Sequence, residues 1–102
     1  MRTLLVAAVL CLPMAARAAD ATIEITDFRF SPAEITVAGG TAVTWINHDD
    51  TPHKVVDADT PRRMNAPPLD TGDSFRFVYA APGVYRYFCA LHPHMQGTVV
   101  VR

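Results

Sequence analysis

Past its first eighteen residues, the chain repeats its apolar side chains in twos and nowhere at the helical period of 3.6, which restricts it to a fold of strands. "ATIEITDFRF", 21–30, sets Ile23 and Ile25 on one face, then Phe28 and Phe30 after a shift of register that predicts a bulge near Asp27. "AEITVAGG" continues with Ile35 and Val37 and stops at the turn signal Gly39-Gly40, and "TAVTWINH" carries Val43 and Trp45 on one side. A short strand opens at His53 in "HKVVDAD". Residues 59–72, with three prolines and little periodicity, predict a long loop with at most one short strand. "DSFRFVYA" alternates Phe75, Phe77 and Tyr79. "VYRYFC" sets Val84, Arg86 and Phe88 against Tyr85, Tyr87 and Cys89. "ALHPHMQG" reads as a loop before the closing strand "TVVVR". Six to eight short strands between Gly, Pro and Asp turns predict an all-β domain, an antiparallel sandwich or a small barrel.

The first residues belong to a different pattern. "MRTLLVAAVLCLPMAARA" has Arg2 in front, an apolar run from Leu4 to Met14, and a small-x-small ending, Ala16-Arg17-Ala18. This predicts a cleaved secretory signal over residues 1–18, export to the periplasm, and a single domain over 19–102. The apolar run is too short to span a bilayer, and Leu10 immediately before Cys11 is poorly suited to lipoprotein processing. Loss of Arg2 and Arg17 takes the net charge from −1 to −3. The remaining basic residues are scattered, with "PRR" at 61–63 their one local cluster, so nucleic acid is not an expected partner. The mature chain keeps one cysteine, Cys89, and no internal disulfide is open to it. A lone thiol in an oxidising compartment is a liability unless something occupies it.

A metal would occupy it. "YFCALHPHM", 87–95, spaces Cys89, His92 and Met95 as C-x2-H-x2-M, offering a thiolate, an imidazole and a thioether. Thiolate and thioether suit Cu(I), and imidazole suits both copper oxidation states. Two histidines and a cysteine with a weak axial methionine form the blue-copper electron-transfer set. The second histidine is sought among His48, His53 and His94. His53 is best placed, because Pro52 fixes its approach and Val55 and Val56 carry it into the sheet. His48 stands beside Asp49 and Asp50 in an expected exposed turn, and His94 is adjacent to Met95. Methionine argues against a structural zinc site. The extra histidines His48 and His94 keep a copper carrier or storage protein as a competing reading.

"ITVAGGTAVTWIN", "NHDDTPHKV" and "APGVYRYFCALHPHMQGTVVV" together resemble the cupredoxins, the small type I copper proteins, in their amicyanin and plastocyanin-like branch. The short C-x2-H-x2-M interval is the amicyanin form of the ligand loop. The resemblance implies a Greek-key β-sandwich of seven to eight short strands holding one copper ion. It implies His53 and His92 as nitrogen ligands, Cys89 as thiolate and Met95 as the long axial ligand. It further implies a monomeric electron carrier rather than an enzyme, with a periplasmic dehydrogenase as donor and a c-type cytochrome as acceptor. Asn47 matches the asparagine that ties the first ligand loop to the cysteine loop. The hydroxyl residue expected after the cysteine is here Ala90, so a backbone contact has to serve instead.

Overall fold

Residues 20–102 are described by the structure, a computed structural model; the expected signal segment 1–18, with Cys11, lies outside the described residues. The period-two pattern becomes eight strands: β1 (Asp20–Thr26), β2 (Arg29–Ser31), β3 (Glu34–Val37), β4 (Thr41–Asn47), β5 (Val55–Asp57), β6 (Ser74–Tyr79), β7 (Gly83–Cys89) and β8 (His92–Val101). They form two four-stranded sheets, ordered β2-β1-β4-β6 and β3-β8-β7-β5. This is a β-sandwich, as the resemblance implied, and not a barrel. Its sheets are mixed rather than antiparallel, since β1 runs parallel to β4 and β3 parallel to β8. The chain enters the second sheet at β3 and returns to the first at β4. Such a crossing sets strand direction without altering the alternation along any strand, so the pattern alone could not reveal it.

Side chains of like parity meet between the sheets. Ile23 and Ile25 of β1, Val43 and Trp45 of β4, Tyr87 and Cys89 of β7, and Met95, Val99 and Val101 of β8 share one buried cluster. Trp45 is its centre, edge-on to Tyr87 at 5.2 Å and tilted against Phe75 and Tyr79. Burying an aromatic or large aliphatic side chain contributes roughly 1.5–3 kcal/mol, so this cluster is the main source of stability in so short a domain. The parity has a functional result. Cys89 continues the inward row of Tyr85 and Tyr87, and Met95 continues that of Val99 and Val101. Both rows therefore deliver a sulfur to the same end of the core.

Two further expectations change. The bulge near Asp27 is instead a two-residue hairpin turn, with Thr26 opposite Arg29 and both Asp27 (φ 53°) and Phe28 (φ 57°) left-handed. Phe30 is buried, but Phe28, expected on its face, is 41% exposed. The loop expected at 90–97 shrinks to the turn Ala90-Leu91, and β8 begins at His92. Cys89 pairs with His92 while Phe88 pairs with Gln96, so residues 93–95 form a bulge in β8. The prediction of a long loop over 59–72 agrees with the structure. It is pinned by two isolated bridges, His53 to Leu69 and Val56 to Asn65.

Candidate metal centre

Three segments bring the donor atoms together. His53 lies just ahead of β5, and a reciprocal pair of backbone hydrogen bonds with Leu69 fixes it, His53 N–H to Leu69 O at 3.1 Å and Leu69 N–H to His53 O at 2.7 Å. Its ring is fully buried. Cys89 ends β7, also fully buried, and His92 opens β8 across the tight turn. The Ala90 N–H donates to Lys54 O at 2.7 Å, tying that turn to the chain beside His53.

The Cys89 Sγ stands 3.7 Å from Nδ1 of His53 and 3.8 Å from Nδ1 of His92, and the three donors lie within 4.8 Å of one another. With bonds of about 2.3 Å to sulfur and 2.0 Å to nitrogen, as at zinc, a separation of 3.7 Å corresponds to an angle of about 120° at a shared ion. The donor set therefore fits one metal ion shared by two imidazoles and a thiolate, a set of donors consistent with a type I copper site. Met95, 2% exposed, packs in the same buried cluster as Cys89.

The surrounding hydrogen bonds fix which ring atom of His53 is free to bind a metal. His53 Nε2 lies 2.8 Å from Asp49 Oδ2, so Nε2–H donates to the carboxylate and Nδ1 is left free as a ligand. Burial pushes the Asp49 carboxyl up, but hydrogen bonds from the Phe28 N–H, His53 and the Asp27 N–H outweigh it and hold the group below the ordinary carboxylate value. The Lys54 N–H donates to Cys89 Sγ at 3.3 Å, drawing charge from the sulfur.

Asn47, fully buried, works differently from its expected part. Its Nδ2 donates to Thr51 O at 3.0 Å and Leu69 O at 2.9 Å, and its Oδ1 accepts from the Asp49 N–H at 2.9 Å. These bonds brace the loop that carries His53. The link to the cysteine turn is the backbone bond from Ala90, as the missing hydroxyl required. His48 is exposed and lies 3.7 Å from Glu24 Oε1, and His94 is exposed with its ring 6.3 Å from that of His92. Neither joins the donor cluster. Met64, in the loop that follows β5, is fully buried and accepts a hydrogen bond from Tyr79 Oη at Sδ, 3.8 Å away. Phe28 was missed altogether. Its ring meets His53 at 5.2 Å and His92 at 5.1 Å, both edge-on. The sequence carried one hint, an aromatic residue at the point where the alternation slips.

A mixed β-sandwich that aims two imidazole Nδ1 atoms and a thiolate at one point defines a small copper-binding electron-transfer domain of the type I kind. The comparisons agree. The profile of the cupredoxin-like domain family matches residues 1–101, and the chain belongs to that family. Amicyanin-alpha of Methylorubrum extorquens is 34% identical over 89 residues, covering 84% of this chain and 75% of that protein. Plastocyanin of Scenedesmus fuscus is 32% identical over 84 residues, covering 72% and 86%. Among solved structures, a purple cupredoxin from Nitrosopumilus maritimus superposes with a TM-score of 0.76 at 37% identity, covering 81% of this chain and all of that one. The family resemblance stands, and with it the place of the chain among electron carriers rather than enzymes.

Proposed function

We propose that this protein is an exported, periplasmic one-electron carrier whose single copper ion is held by His53, Cys89, His92 and Met95. The observation that carries the reading is the cysteine sulfur facing two Nδ1 atoms at nearly equal distance. His53 and His92 would bind through Nδ1 and Cys89 through its thiolate. Met95 would be the fourth, thioether ligand, because the inward parity of β8 from Met95 onward brings it into the buried cluster where Cys89 lies. Bound copper would alternate between Cu(I) and Cu(II), and so supply the one-electron step. The chain's part is to keep the ligands still. Asp49 fixes the His53 tautomer, Lys54 N–H holds the sulfur, and the Leu69 bridge anchors the first ligand segment. Residues 1–18 would direct export and be removed. The partners would be other redox proteins, a periplasmic dehydrogenase as donor and a c-type cytochrome as acceptor. The copper-loaded mature protein should show an intense visible thiolate-to-copper band that vanishes on reduction and is absent in Cys89→Ala. Met95→Leu should keep the band but shift its position and the reduction potential. A colourless copper adduct of the native protein would overturn the proposal.

A further inference from the structure

The β1–β2 turn breaks a local rule. A two-residue hairpin turn with positive φ at both central positions is normally Asn-Gly or Asp-Gly, because only glycine adopts the second position without steric cost. Here the residues are Asp27 (φ 53°) and Phe28 (φ 57°). A bulky aromatic in the left-handed region is strained, and its ring gains little from burial at 41% exposure. Something must hold it there, and Asp49 does. Its Oδ1 accepts the Asp27 N–H at 2.7 Å, and its Oδ2 accepts the Phe28 N–H at 2.9 Å. The same Oδ2 takes the Nε2–H of His53 at 2.8 Å. One carboxylate thus fastens the strained turn to the first candidate ligand. The turn in return lays the Phe28 ring edge-on against both imidazoles, which lie 5.1 Å apart. Strain at a functional site persists where the surroundings over-determine it, and these bonds and contacts do so.

We propose that Phe28 is a positioning residue for the metal centre, clamped by Asp49 so that its ring fixes the rotation of both His53 and His92. His53 is already held by Asp49 and by burial. His92 is only partly buried, and no hydrogen bond is found at its Nε2 among the described residues. Its orientation therefore depends most on the ring. Phe28 trades stability of the polypeptide for stillness of the ligands.

The inference rests on the copper reading, and it predicts opposite signs for two measurements on one variant. Phe28→Gly relieves the turn, so the copper-free protein should melt higher, by about a few degrees. The same change should speed copper release to a chelator about fivefold or more, fivefold being the factor that two edge-to-face contacts at the weak end of their range represent. Phe28→Tyr should restore the native release rate. In copper-free Phe28→Gly the His92 ring resonances should broaden through microsecond-to-millisecond exchange. Asp49→Asn, whose single amide oxygen cannot serve three donors, should also speed release. Its effect should be smaller in the Phe28→Gly background, because part of it acts through the ring. Unchanged release in Phe28→Gly, or faster release accompanied by a lower melting point without copper, would make Phe28 an ordinary packing residue and overturn the proposal. An equal Asp49→Asn effect in both backgrounds would remove the clamp. If the native protein forms no coloured copper adduct, the copper reading fails on its own, and the ring resonances of the copper-free variant still decide whether Phe28 restrains His92.

Discussion

Asn47 is fully buried and spends its amide entirely on the backbone, donating to Thr51 O and Leu69 O and accepting from the Asp49 N–H. Leu69 O also accepts the His53 N–H, so one side chain braces both strands of the loop under the ligand. Truncation would remove three hydrogen bonds around a fully buried side chain, two of them to the part-buried Thr51 carbonyl and Asp49 N–H, and each such bond contributes about 0.5–1.5 kcal/mol. Asn47→Ala should therefore lower the unfolding free energy of the copper-free protein by roughly 2–4 kcal/mol, measured in urea. Asn47→Asp should cost at least as much, because a carboxylate cannot donate to either carbonyl. A loss below that of a typical surface substitution would show that Asn47 is not the brace. The residue types of the site were legible in the sequence, since Cys, His and Met within seven positions carry their chemistry in their identity. Asp49 and Phe28 were not. A carboxylate beside a second carboxylate reads as solvated turn, and its three hydrogen bonds come from residues 21 and 22 positions away and from the candidate ligand His53.

At the scale of strands, alternation showed the inward rows of β1, β4, β6 and β7, including the parity that buries Cys89 beside Tyr87. It failed where the ladder is irregular. Residues 93–95 bulge out of β8, so His92 to Met95 do not alternate, and Pro93 in their midst suggested a loop. It also missed the core contributions of Met64, Ala66 and Leu69, which two isolated bridges bury without a strand. The β7–β8 pair exposes a further dependence. Tyr87 stands opposite Gly97, and a Cβ built there would lie 2.1 Å from Tyr87 Cζ and Oη. Tyr87 is 1% exposed and wedged between Trp45 and Phe30, so its ring has nowhere to go. Gly97→Ala should destabilise the domain by about 3 kcal/mol or more through overpacking. Gly97→Ala with Tyr87→Phe should recover only part, because the ring carbon still clashes. Thermal melts of both variants check this, and a neutral Gly97→Ala would mean that the two strands separate easily.

Across the whole molecule, the copper end and the core respond to different conditions. Burial raises the Tyr87 hydroxyl to about 12 and pushes Tyr79 higher still, Asp57 adding to the effect. The unfolded chain ionises these groups from about pH 10, while the folded core keeps them protonated. Stability is therefore whole below pH 10 and falls as pH climbs from there toward 12, with a slope approaching about 1.4 kcal/mol per pH unit for each tyrosine. Urea titrations from pH 9 to 12 should show this decline, and Tyr87→Phe should flatten it. The opposite surface is defined by His92. Phe28 and Leu91 are 41% and 48% exposed, and Pro52 and Pro93 are exposed beside the two candidate ligands. Met64 lies in the core and takes no part in this collar. An apolar collar around a redox ligand suits a small, fast-dissociating encounter with a partner protein. Leu91 faces solvent rather than packing the turn, so Leu91→Glu buries no charge. Its visible spectrum and melting temperature should match the native protein's. Electron exchange with a c-type cytochrome should slow about tenfold or more, a loss in proportion to a mid-interface apolar contact. Exchange with a small inorganic complex of positive charge should not slow. A native rate with the cytochrome would take Leu91 out of the docking surface, and a shifted spectrum would mean that the side chain supports the ligand turn after all.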